Sequence, residues 1–273
     1  MDGFGLKIAA CIVTLFVGVV LPLILAAVFA WKRREDGIWK AWVVGAAGFL
    51  VPQLIIRPLI LMALSGTGYE AWAEGNPRLY IVVSAFFAAL LELAGRCAGA
   101  GILRKDMTFT QALAAGMGHG GIESIMLIGI SYVNNLVLLE ILQNGQLDAM
   151  IAEAAANGTD TTELTAAALA IQAPSAGLFL LAGLERILTM ICQACMTVMV
   201  FYGFHRKQVL PWLAKCLGIH FLIDCISLVN ELVESESLAY AIIYTLLSIA
   251  AVLCLRLILR IRRSWQAEAC CSS

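Results

Sequence analysis

Charge is scarce in this chain: Asp, Glu, Lys and Arg make up 14% of its 273 residues, against 61% that are hydrophobic. A soluble domain needs a polar surface around its core, so this balance, with a mean hydropathy of +0.89, excludes one. The net charge of −1 says nothing about nucleic acid, since where the charges sit matters here and not their sum; no basic patch calls for such a partner, and none is expected. Internal repeats, low-complexity tracts and a separate soluble domain are also missing. So is any hydropathic sign of the inverted halves that many transporters carry. The first apolar run lacks a small-residue cleavage site ahead of a polar region and is too long for a signal core, so it is expected to stay as a helix.

Cysteine is not scarce, but its placement excludes a disulfide framework. Of nine cysteines, Cys11, Cys97, Cys192, Cys195, Cys216, Cys225 and Cys254 lie in apolar stretches, where they read as small buried hydrophobes. Cys192 and Cys195 have CxxC spacing but fall mid-span with no second pair, which argues against metal or redox chemistry there. Cys270 and Cys271 follow a basic segment, a setting in which palmitate can be attached, and are read as an unmodified tail.

Runs long enough to cross a hydrocarbon core of about 30 Å occur at 8–31, 38–64, 79–103, 109–133, 174–203, 209–230 and 238–259. The expected fold is all-α: a polytopic bundle of seven transmembrane helices forming one integral membrane domain over 1–273, multi-pass in the cell membrane. Basic residues mark alternate connections: Lys32, Arg33, Arg34 and Lys40; Arg104 and Lys105; His205, Arg206 and Lys207; and Arg256 to Arg263. The others carry Glu70 and Glu74, Glu153, Asp160 and Glu163, then Glu234 and Glu236, with Arg78 a lone exception. The alternation predicts an outer N-terminus and a cytoplasmic C-terminus. The one long connection, 143–173, has room for a short amphipathic helix at Leu147 to Ala156 and reads as a lid or a surface loop.

A charge at mid-bilayer costs about 2.5–3.5 kcal/mol on insertion scales, so each one calls for a reason. Glu92 and Arg96 lie in the third run, His119 and Glu123 in the fourth, His220 and Asp224 in the sixth. Each pair is spaced i, i+4, which puts both side chains on one helix face. Counted from the basic markers, Glu92 is 12 residues before Arg104, His119 is 14 after Lys105 and His220 is 13 after Lys207. All three therefore lie roughly 18–21 Å along their helices, and the three patches can meet in one layer. One alternative is that they only tie helices together by hydrogen bonds; three patches at one depth favour a functional site. Carboxylates beside imidazoles can take a proton from water and return it to a leaving amine. Two histidines and a carboxylate equally match a divalent metal site such as zinc, and the pattern leaves both open. His205, in a basic turn, reads as solvated. Gly116, Gly118, Gly120 and Gly121 around His119 permit close approach of a neighbouring helix or of an extended substrate.

The ordered set Glu-x-x-x-Arg, His-x-x-x-Glu, His-x-x-x-Asp resembles that of the glutamate-type intramembrane proteases, which include the CAAX-processing and bacteriocin-processing enzymes and PrsW. Within that group, GMGHGGIES resembles the YhfC family. The resemblance covers about 80–230, the motif-bearing core being about 79–230. It implies a site of Glu92 with Arg96, His119 with Glu123 and His220 with Asp224, and an intramembrane peptidase that cuts a membrane-protein or peptide substrate in or near the bilayer. In that reading Glu92 or Glu123 activates water, His119 and His220 stabilise the oxyanion or carry protons, and Arg96 and Asp224 orient their neighbours. Two positions depart from the pattern: Leu91 precedes Glu92 where many relatives have a second acid, and Gln193 of GLERILTMICQ stands where relatives often have histidine. Gln193 is 12 residues before His205, at the depth of the other patches, and glutamine cannot shuttle a proton or readily bind zinc. The competing readings are a proton-coupled permease and an inactive scaffold of the same fold.

The charge alternation is open to direct measurement. Reporter fusions at positions 36, 74 and 265 are expected to read inside, outside and inside; an inside reading at 74 would break the scheme.

Overall fold

The computed structural model describes residues 3–33, 37–104 and 107–271, with side chains up to Glu268. Arg34 and Lys105 of the basic connections and the side chains of Cys270 and Cys271 lie outside the described residues. Among those described, all regular structure is helical. Seven helices are long and apolar enough to span a membrane: Gly3–Arg33, Ile38–Leu64, Pro77–Leu103, Phe109–Gln143, Ala176–His205, Val209–Leu232 and Glu236–Glu268. These are the seven expected spans, extended by several residues wherever the helix continues past the apolar window. Their many exposed Leu, Ile, Val and Phe side chains, Leu222 at 67% among them, are what a lipid-facing surface requires. The protein is a multi-pass membrane protein.

Two spans are not regular. Phe16–Val20 and Val51–Ile56 are wide π turns, in which Leu21 N–H reaches the Phe16 carbonyl and Arg57 N–H reaches that of Pro52, five residues back. Pro52 has no N–H to offer the ladder, which accounts for the second.

The chain divides into two compact units, Met1–Leu23 with Ser124–Ile187 and Ile24–Glu123 with Leu188–Ser273. In the first, Ala10, Cys11, Ile128, Tyr132, Leu139, Ile171 and Phe179 form the core. The Phe179 carbonyl accepts from Thr14 Oγ1 at 2.7 Å and from Tyr132 Oη at 3.2 Å, and the Gly18 carbonyl accepts from Ser124 Oγ at 2.8 Å. The long connection belongs to this unit. It contains the expected helix Leu147–Ala156 and a second helix, Thr162–Gln172, that its polar composition hid. Asp160 Oδ1 accepts from the Thr162 N–H and hydroxyl at 2.9 and 2.6 Å, which starts that helix. Ala168 and Ile171 are its buried side, and Lys7 Nζ donates to the Gln172 carbonyl at its end at 2.5 Å.

The second unit is packed around the later half of the fifth span, where Cys192, Cys195, Met196, Val198, Met199, Val200 and Phe201 are all almost fully buried. Around it, spans meet backbone to backbone at glycines. A Cβ on Gly45 would stand 1.8 Å from the Ala115 carbonyl oxygen, one on Gly95 2.0 Å from that of Gly48, and one on Gly118 2.0 Å from that of Trp42. The second span is thereby pressed against the third and the fourth. Gly116 and Gly120 make similar approaches to Ala194 and Gln193 of the fifth. Lipid offers no hydrophobic drive for helices to associate, so contact area of this kind supplies it.

This packing gives a sharp contrast. Gly95→Ala has no room and is expected to lower the melting temperature in detergent strongly or abolish the monodisperse peak, since overpacking costs about 1–3 kcal/mol or more. Gly101→Ala, in the same helix with nothing within 4 Å of the added carbon, is expected to be neutral or stabilising.

Candidate functional site

The three i, i+4 pairs converge on one oxygen. Glu92 Oε2, from the third span, lies 3.1 Å from Arg96 Nη2 one turn along, 3.0 Å from His119 Nε2 of the fourth span and 3.6 Å from His220 Nε2 of the sixth. Asp224 Oδ2, a turn beyond His220, is 3.5 Å from the same Nε2. Glu123 joins through the fifth span: Gln193 Nε2 donates to Glu123 Oε2 at 2.5 Å and reaches Glu92 Oε2 at 3.5 Å, while Gln193 Oε1 accepts from Arg96 Nη2. All six residues expected from the sequence are thus in one connected cluster. Glu92, Arg96, His119, Gln193 and His220 are at most 5% exposed. Asp224 stands at the edge, with its side chain 29% exposed.

A buried guanidinium has donors only. Arg96 Nη1 lies 3.5 Å from His220 Nδ1, and the tautomer with its proton on Nε2 lets Nδ1 accept there while Nε2 faces Glu92 and Asp224. His119 also turns Nε2 to Glu92, with Phe49 edge-on to its ring at 5.7 Å. Its Nδ1 faces the Gly45 backbone without a well-formed hydrogen bond, and Arg96 Nε has no partner. Every remaining donor of Arg96 is directed at the cluster, so the guanidinium holds Glu92, Gln193 and His220 in one arrangement.

Further polar groups, not singled out in the sequence, lie behind Glu92: Gln53 and Arg57 on the second span and Ser84 on the third. Gln53 Nε2 donates to Glu92 Oε1 at 2.8 Å, Arg57 Nη1 to Gln53 Oε1 at 3.2 Å, and Arg57 Nη2 to Ser84 Oγ at 2.7 Å. The signal was present: Arg57 is an ionisable residue inside an apolar run, with Gln53 four residues before it, the same spacing as the other pairs. Arg57, Tyr80, Ser84, Asp224 and Ser227 line a cavity of about 220 Å³. It touches the cluster at Asp224 and, through Arg57 and Gln53, connects to Glu92.

Among the described residues, no three His, Cys, Asp or Glu side chains stand as ligands round a common point. The donor chemistry agrees. Arg96 lies against the one carboxylate oxygen that both imidazoles share, so the set as arranged does not fit a metal ion.

Seven candidate membrane spans among the described residues, with a buried Glu–Arg–His cluster in the second unit, define a polytopic membrane protein with a polar site. The sequence matches the family described as YhfC intramembrane metalloprotease over residues 17–248, and the chain belongs to that family. It is 26% identical over 215 residues to the uncharacterized membrane protein YhfC of Bacillus subtilis (strain 168), covering 76% of this chain and 80% of that one. No solved structure matches it.

Arg96 and Glu92 make opposite demands on a mutation. Arg96→Met is expected to strand the carboxylate, costing about 3–5 kcal/mol, visible as a large fall in melting temperature and yield. Arg96→Lys keeps the charge but loses the forked geometry and should fall between; equal stability of all three proteins would show that the pair carries no structural weight.

Proposed function

We propose that this chain is an intramembrane peptidase in which Glu92 is the general base. The observation that carries this reading is the single carboxylate oxygen shared by two imidazoles in a water-poor interior, which stands a base beside groups able to donate to a developing oxyanion. In the reaction, Glu92 takes a proton from water as the water oxygen bonds to the scissile carbonyl carbon. The oxyanion so formed accepts from the N–H groups of His119 and His220. The C–N bond then breaks, and the proton returns from Glu92 to the leaving amine. Arg96, Gln53 and Gln193 hold the carboxylate in place, and Asp224 orients His220. Glu123, linked through Gln193, is the alternative base.

The family description names a metal. The hydrogen-bonded arrangement of Glu92, Arg96 and His220 supports a route that uses the chain's own groups, and metal analysis of detergent-purified protein beside a His119→Ala/His220→Ala variant tests this. Stoichiometric zinc lost in that variant would overturn it. Kinship to the CAAX-processing and PrsW enzymes stays with the order of the motifs alone.

A second reading, an inactive scaffold, has one observation in its favour. Gln193 satisfies Arg96, Glu92 and Glu123 together, which suits a cluster whose task is to hold spans rather than to move protons.

Glu92→Gln separates the two, because it keeps volume and most hydrogen bonds but removes the proton acceptor. For a base, proteolysis of a membrane substrate should fall by orders of magnitude, beyond whatever fall in melting temperature follows from leaving Arg96 without its carboxylate. Intact proteolysis with a large fall in melting temperature would remove Glu92 from the catalytic role and leave Glu123.

A further inference from the structure

A separate cavity of about 620 Å³ opens in the second unit at the ends of four spans. Arg33 closes the first span, Thr108 to Thr110 begin the fourth, His205 ends the fifth, and Arg262, Trp265 and Glu268 come from the last. None of these residues touches the Glu92 cluster.

The charges in its wall are not equivalent. Glu268 is already engaged: Oε1 accepts from Arg206 Nη1 at 3.2 Å and Tyr202 Oη at 3.2 Å, and Oε2 lies 3.4 Å from His205 Nε2. Trp265 stacks on His205 with ring centres 4.4 Å apart, which fixes that side of the cavity as a rigid aromatic wall. Arg33 and Arg262 have no carboxylate within 4 Å among the described residues. The guanidinium of Arg33 lies over the Phe29 ring, 5.9 Å from its centre. Two arginines therefore face a cavity whose acid is spent on other partners. The first turn of the fourth span adds the positive end of its helix dipole.

The surface below the cavity is apolar. Leu259 and Leu255 precede Arg262 by three and seven residues, on its face of the helix, and are 45% and 48% exposed. A ligand held by Arg262 has a hydrocarbon track running from the cation into the bilayer. A soluble anion would have no use for it.

We propose that this cavity binds the phosphate of an anionic phospholipid headgroup, with Arg33 and Arg262 as the donors and an acyl chain along Leu259 and Leu255. Arginine's fork matches phosphate oxygens in two-point contact. The ligand chemistry is a phosphate oxyanion; the apolar track selects the lipid as its source over inorganic phosphate.

The experiment uses the full chain in detergent, titrated with phosphatidylglycerol, phosphatidylcholine or inorganic phosphate, and reads melting temperature and lipid retained in native mass spectrometry. Phosphatidylglycerol is expected to be retained over phosphatidylcholine by roughly 30-fold, the worth of two arginines near an anionic surface, and to raise the melting temperature. Arg33→Gln/Arg262→Gln should lose that preference. Arg263→Gln, which removes a neighbouring charge that does not line the cavity, should keep it. Equal loss in Arg263→Gln, no loss in the double variant, or equal retention of the two lipids by the wild type would overturn the proposal. So would a matching thermal shift from inorganic phosphate, which would make the ligand a soluble anion. Should the double variant not fold, the wild-type lipid preference and the Arg263→Gln result decide the matter.

Discussion

Glu92 and Arg96 sit one helical turn apart, 3.1 Å between their charged atoms and almost wholly out of contact with solvent, in a helix that crosses lipid. Neither ion is tolerable alone at that depth, and their mutual attraction offsets the cost only if the remaining donors and lone pairs are also satisfied. That requirement recruits the rest of the cluster. His119, His220, Gln193 and Gln53 come from four other spans, each presenting a group that one of the two ions needs. The glycine contacts of the second, third, fourth and fifth spans hold the same helices together by backbone packing. Charge compensation and close packing thus act on the same set of helices.

The same constraint explains what was legible in the sequence. Seven apolar runs are long signals, and the bilayer permits few other structures, so the spans could be read to within several residues at most ends. The i, i+4 pairs were legible because a charge in an apolar run stands out, and the count from basic turns placed Glu92, His119 and His220 at one depth. Gln53 and Ser84 were not, because uncharged polar residues in spans are common and only their partners give them meaning. Arg57 was overlooked although it met the same standard as Arg96. The helix Thr162–Gln172 was hidden because alanine and threonine carry no periodic signal, and what fixes it is the Asp160 turn ahead of it and the burial of Ile171. Division into two compact units was invisible for a different reason: its boundaries fall inside the first, fourth and fifth spans, where hydropathy does not change.

Gln193 shows the limit of reading a position by its residue type. As a departure from the family pattern it suggested lost chemistry. In the fold it is the most connected amide of the cluster, its oxygen taken by Arg96 and its nitrogen shared between Glu92 and Glu123. A histidine there could not accept from the arginine and donate to two carboxylates in the same way while neutral.

The wide turn at Val51–Ile56 places one more residue in its helical turn than a regular helix would, between Gly48, which abuts the third span, and Arg57, which bonds Ser84. Absorbed within this one turn, the extra residue leaves Gly48 and Arg57 on the faces their contacts need. The same length change in regular helix would rotate everything beyond it by about 100° and swing Arg57 away from Ser84. In the genetics of this family, a three-nucleotide deletion at the turn that spares Gln53 would leave charge placement intact, whereas one in the regular helix on either side would be a lesion of it.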